Sequence, residues 1–202
     1  MLGADALAAR VANERPGLGG YRPLTNVVGL FLLEQTLQDF NVRPHSPREW
    51  DALITAAEKL PAPAVLLDPT DPAFTAPKSM RAAIDAQLKR KKNAPPKDLA
   101  GYTRLICDSI GRGHAGAAAN FERMTGKKFR RILMVGGGSK NRLLCQATAD
   151  ATGLPVLSFN LEGTAVGNLA SQLIALGAVK DLATFRRHLG AGLKQKTYAP
   201  RA

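Results

Sequence analysis

Arg131-Ile132-Leu133-Met134-Val135-Gly136-Gly137-Gly138-Ser139-Lys140-Asn141-Arg142-Leu143-Leu144-Cys145-Gln146-Ala147-Thr148-Ala149-Asp150-Ala151-Thr152 decides the fold. Ile132–Val135 is a short apolar run of the kind a buried strand needs, and three glycines follow it. The residues after the glycines carry apolar side chains at helical spacing up to Thr152. Backbone without Cβ lets a phosphate or ribose come close, and a helix start offers unpaired N–H groups and a partial positive charge. Asn141 lies in the first turn, where its amide can hydrogen-bond an adenine or ribose. The loop alone fits a tight strand-to-helix turn equally well. It lacks the third glycine of a dinucleotide fingerprint, since Asn141 stands there. Lys140 is not in the Gly-Lys-Ser/Thr context of a Walker loop.

Outward from this stretch, strands and helices alternate. Gly153–Ser158 reads as a second strand. A helix is expected over about 164–176, with Thr164 as N-cap, and a terminal helix over about 182–189. Gly167 reads as a point of close helix–helix contact. Strand–helix alternation implies a parallel sheet. Upstream, Asp98 opens a long helix that Gly126 ends. Residues 26–40 form an apolar helix with Asn26 as N-cap. Ser46-Pro47-Arg48-Glu49 starts another with capping-box spacing. Ala64–Leu67 reads as a strand, and Lys78 to Lys91 as a helix. Residues 61–97 together look like an insertion, and residues 1–25 read as loop and edge strand.

The composition fits helices packed on a small sheet. Hydrophobic residues make up 45% and aromatics only 5%, too few for a typical all-β sandwich. The net charge of +12 favours anionic partners. The basic residues are scattered, however, which favours a solvated surface. The main cluster, Lys89-Arg90-Lys91-Lys92, reads as a helix end, and no aromatics interleave with it as single-strand binding would require. Cys107 and Cys145 sit in apolar helical runs and read as buried free thiols. No metal-ligand spacing, signal segment or membrane-spanning run appears, so the expected setting is the cytosol.

In combination the motifs resemble a known family. Val135–Asn141 with Leu143-Leu144 and Ala149–Gly153 resembles the adenosine-binding segment of the FGGY carbohydrate kinases. Glu162-Gly163-Thr164-Ala165-Val166-Gly167-Asn168 is similar to a loop of the rhamnulokinase branch, as are Asn26–Glu34 and Asp68-Pro69…Phe74. The resemblance implies an α/β fold: a partial ribonuclease-H-like domain of the actin/hexokinase type, helix-rich, with its first strands missing. The whole chain, 1–202, would then be a truncated C-terminal domain. The family's activity is phosphoryl transfer from Mg2+-ATP to a sugar hydroxyl, here of L-rhamnulose. The resemblance also implies that Gly136, Gly137 and Gly138 with Asn141 serve the nucleotide, that Glu34 falls where the branch places a nucleotide-contacting Gln, and that Asn26 falls at a substrate-contacting Asn. A carboxylate at Glu34 would repel phosphates but can accept from ribose hydroxyls. The family's catalytic Asp and its Ser-Gly-Thr phosphate hairpin have no match in the sequence. The expectation is therefore ATP as partner, sugar only when an N-terminal half is supplied, and no catalysis by this chain alone. A non-enzymatic scaffold or regulator built on the same domain is the alternative, and a basic nucleic-acid binder is a more distant one.

Overall fold

The computed structural model describes residues 3–16 and 20–201. Its elements run α1 (Ala4–Ala8), β1 (Ala12–Glu14), β2 (Arg22–Leu24), α2 (Phe31–Asp39), α3 (Pro47–Glu58), α4 (Met80–Arg90), α5 (Leu99–Thr125), β3 (Ile132–Met134), α6 (Arg142–Thr152), β4 (Val156–Phe159), α7 (Gly163–Ala175), α8 (Leu182–Gly192) and β5 (Gln195–Tyr198). This is a helix-rich α/β arrangement, as expected.

The sheet is small. β3 and β4 pair in parallel, Ile132 opposite Val156, and β5 adds antiparallel to β4. The parallel pair follows from the crossover through α6. β5 was not expected: Gln195–Tyr198 is a polar edge strand with no apolar alternation to mark it. β1 and β2 form a separate antiparallel hairpin.

The core lies among α2–α6. Leu32, Leu33, Ile84, Leu88, Tyr102 and Ile106 are all but inaccessible to water. Burial of each such aliphatic side chain contributes about 1.5–3 kcal/mol. Leu67, Phe74, Met80 and Ile84, from within 61–97, belong to this same cluster. The Ala64–Leu67 segment bends at Ala64-Val65 and is no strand. Side chains rather than a neighbouring strand satisfy its backbone. Leu67 N–H donates to Ser109 Oγ at 2.9 Å, Asp68 N–H to Gln87 Oε1 at 2.8 Å, and Lys91 Nζ to the Leu66 carbonyl at 2.7 Å.

Caps set the helix ends. Ser46, Ser79 and Asp98 accept from the N–H of Glu49, Ala82 and Gly101. Gly126 closes α5 in the left-handed region at φ 68°. Asn26 is not an N-cap, because α2 starts only at Phe31. The β-branched pair Val27-Val28 and Gly29 resist helix there, and Val27 packs against Gly113 of α5 instead. Nor does Thr164 cap α7, which begins one residue earlier at Gly163.

α5 and α6 cross closely. A Cβ on Gly111 would stand 2.7 Å from the Ala147 backbone, so only glycine fits. α6 is also fastened at both ends. At its start Arg142 binds α3 through Glu58 (3.0 Å), Thr55 (2.6 Å) and Asp51. Further along, Gln146 donates to the Ala199 carbonyl, and Asp150 accepts from Arg201 N–H, both at 2.8 Å.

Candidate functional site

The glycine loop joins β3 to α6. Gly136 has φ 73° and ψ −161°, a backbone region that glycine alone visits freely. It turns the chain sharply, and Gly137–Lys140 form one tight 3-10 turn. Gly137 differs. Its φ is not left-handed, it is exposed, and a Cβ there would meet nothing within 4 Å. The protein's own packing does not require glycine at 137. Its effect is to leave bare backbone in front of α6.

The underside of the loop is held from below. Ser139 Oγ donates to the Gly136 carbonyl at 2.7 Å, and Ser158 Oγ of β4 donates to the Ser139 carbonyl at 2.7 Å. The Cys145 thiol lies 3.6 Å from that same carbonyl and 3.8 Å from that of Gly138. Burial pushes the Cys145 thiol up to about 11 and the Cys107 thiol up to about 12, so both stay protonated. Ser158 and Cys145 carried no signal in the sequence, since a lone serine in a strand and a cysteine in an apolar helix look ordinary.

Asn141 is 8% exposed. Its Oδ1 accepts from Leu144 N–H at 3.0 Å, capping α6, and its Nδ2 points at the Cys107 sulfur at 3.7 Å. Its amide groups are thus engaged within the protein, and it shapes the loop from inside.

The second motif abuts the first. Gly136 N–H donates to the Leu161 carbonyl at 2.8 Å, and a Cβ on Gly163 would approach Val135 Cγ2 at 3.2 Å. Gly167 faces open space, with no atom within 4 Å of a Cβ, so the expected helix–helix contact is absent among the described residues. Asn26 lines a groove of about 610 Å3 together with His114, Ala117 and Val135, which places it beside the strand leading into the loop. Glu34 stands exposed on α2, and no hydrogen bond or ion pair among the described residues links it to the loop.

No group of three His, Cys, Asp or Glu side chains among the described residues could hold a metal ion. Bare backbone at Gly137 and the turn at Gly136 leave the approach to the start of α6 unobstructed. No helix is long and apolar enough to cross a membrane. In the basic cluster, Arg90 pairs with Asp71 at 2.5 Å and Lys91 holds the Leu66 carbonyl. Two of its four cations thus have structural partners.

A glycine turn thus joins the edge strand β3 to the closely packed helix α6, on a small sheet backed by a helical core, which defines a helix-rich α/β domain. Residues 4–176 match the C-terminal domain of the FGGY family of carbohydrate kinases, and the chain belongs to that family. It is 38% identical over 198 residues to a rhamnulokinase of Pectobacterium carotovorum subsp. carotovorum (strain PC1), covering 98% of this chain and 39% of that protein. The fold is also that of a xylulose kinase from Rhodospirillum rubrum, with a TM-score of 0.64 at 17% identity over 95% of this chain and 38% of that one. The chain thus spans about two fifths of the length of either protein.

Proposed function

We propose that this chain supplies the adenosine-binding part of an ATP-dependent L-rhamnulose kinase. The observation that carries the reading is Gly137, bare where the protein itself does not need it to be, at the head of α6. Its partner in the reading is the 38% identity to a rhamnulokinase along nearly the whole chain. Bound ATP supplies the phosphoryl group and the Mg2+. The chain's own residues do the holding. Gly136 sets the turn, Gly137 admits the nucleotide, and Asn141, Ser139 and Ser158 keep the loop in shape. Asn26, in the groove beside the same strand, is the candidate for contact with the sugar, and Glu34 would accept from ribose hydroxyls if the bound nucleotide reaches α2.

Phosphoryl transfer needs a positioned base and a phosphate cradle. On this reading both come from an N-terminal half, and this chain by itself binds nucleotide without transferring phosphate. Calorimetric titration with ATP tests it: millimolar or tighter binding is expected, weakened at least about tenfold by Gly137→Asp. Adding a recombinant N-terminal half of a homologous rhamnulokinase should give ADP release that depends on L-rhamnulose. No ATP binding by the correctly folded chain would sink the nucleotide reading.

A further inference from the structure

Glycine recurs through α5, and three of its four glycines have a reason in the packing. A Cβ on Gly101 would stand 2.8 Å from Pro96, one on Gly111 2.7 Å from Ala147, and one on Gly113 2.9 Å from Val27. Gly116 has no such neighbour. A Cβ there would meet nothing within 4 Å, and its φ is not left-handed. Glycine inside a helix is less stable than alanine, and no contact of the protein itself offsets that loss at Gly116.

Gly116 lies in the wall of a cleft of about 630 Å3. Sites for small molecules span roughly 300–1,000 Å3. Ala115, Gly116 and Ala119 of α5, Ala151 of α6, and Phe129 and Leu154 give the cleft apolar walls. Phe129 and Leu154 stand just before β3 and β4, so the cleft is at the opposite end of those strands from the glycine loop. No residue of the sheet lines it, and Ala118 and Phe129 divide it from the groove beside Asn26.

Of the polar side chains in the cleft, all but one are engaged. Glu122 accepts from Lys128 Nζ at 2.7 Å with one carboxylate oxygen and from Phe129 N–H at 2.8 Å with the other. Thr152 Oγ1 donates to the Thr148 carbonyl at 2.7 Å. Arg112 is exposed and has no hydrogen bond or ion pair among the described residues. Lys127 and Arg130, exposed on either side of Lys128-Phe129, add positive charge at the rim, and the one carboxylate that lines the cleft is already taken up.

We propose that this cleft binds a small organic anion, its flat apolar body lying over Gly116 against Phe129 and its carboxylate or sulfonate head on Arg112. A guanidinium can hold such a head through two parallel N–H bonds, and bare backbone at Gly116 leaves room for the body. A second copy of this chain is a poor occupant, since it would bring another net charge of +12. The cleft shares no residue with the glycine loop, so the proposal stands apart from the nucleotide reading.

The probes are anilinonaphthalene sulfonate and N-phenylnaphthylamine, which share a ring system and differ in the sulfonate. Titrated into the folded chain, the sulfonate probe should give a saturable rise in fluorescence, with affinity at least about tenfold tighter than the neutral probe. Arg112→Gln should weaken the sulfonate probe at least about tenfold and leave the neutral one unchanged. Gly116→Leu, whose side chain fills the cleft, should abolish binding of both probes while the melting temperature stays level or rises, because leucine favours helix. Ala119→Leu on the same wall should do the same. Millimolar ATP should not displace the probe, whether or not ATP binds at the glycine loop. Four results would overturn the proposal: no saturable binding by the folded wild type, equal affinity for the two probes, full binding by folded Gly116→Leu and Ala119→Leu, or displacement by ATP.

Discussion

Neighbouring glycines in the loop have opposite reasons for being glycine. Gly136 is held at φ 73° and ψ −161°, so any side chain is strained there whatever the space around it. Gly136→Ala should lower unfolding stability by about 1–3 kcal/mol, read from urea denaturation midpoints at constant slope. Gly137 is unconstrained, so Gly137→Asp should keep the wild-type midpoint while losing ATP. If both variants lost stability equally, Gly137 would be a structural residue. Three glycines in a row cannot be told apart in a sequence, because the difference lies in a dihedral angle. Asn141 makes the same point about chemistry. Its amide, which the sequence offers to an adenine or ribose, also caps α6 and reaches the Cys107 sulfur, which no local pattern signals.

Elements announced by local chemistry were legible in advance. The cap at Ser46, the helix start at Asp98 and the left-handed glycine at 126 mark helix ends through bonds formed within a few residues, whereas the caps expected at Asn26 and Thr164 do not form. Elements that depend on distant partners were not. Ala64–Leu67 has a strand's composition, but Ser109, Gln87 and Lys91 supply its hydrogen bonds from helices. β5 has a loop's composition, but β4 offers it an edge. Gly111 belongs to this level too. It sits mid-helix at a cost of roughly 1 kcal/mol relative to alanine, and the crossing with α6 explains why. Gly111→Ala should therefore destabilise despite alanine's better helix propensity, by about 1–3 kcal/mol from overpacking against the Ala147 backbone. A thermal melt at or above the wild-type value would show that α5 and α6 separate freely.

At the scale of the molecule, one half-buried titrating group joins two of the core helices. His114 of α5 meets Thr148 of α6 at 2.9 Å, and burial holds its pKa below the usual 6.5. The unfolded chain therefore binds a proton more readily than the folded one. Stability should be unaffected by this group above about pH 6.5, and should fall as pH drops from there toward the lower folded value. His114→Gln should flatten the melting temperature over that window, and an unchanged slope would place the titration elsewhere. The overall class was legible because the glycine loop, the Asn26 segment and the Glu162–Asn168 loop keep their order along the chain. Which of these meet in space was not. Asn26 reaches the loop's own strand, while Glu34 stands on a helix that no described bond connects to it.

α6 is clamped to α3 by Arg142 and to the C-terminal tail by Gln146 and Asp150. Mechanically it is a beam fixed along its length, and the glycine loop at its head is braced from below by Ser158 and Leu161. A ligand bound at the loop would find a shape already set, so little ordering entropy would be lost. In any motion of the domain, loop, helix and core travel together as one rigid piece. The bending must then fall outside the span from Gly136 to Thr152.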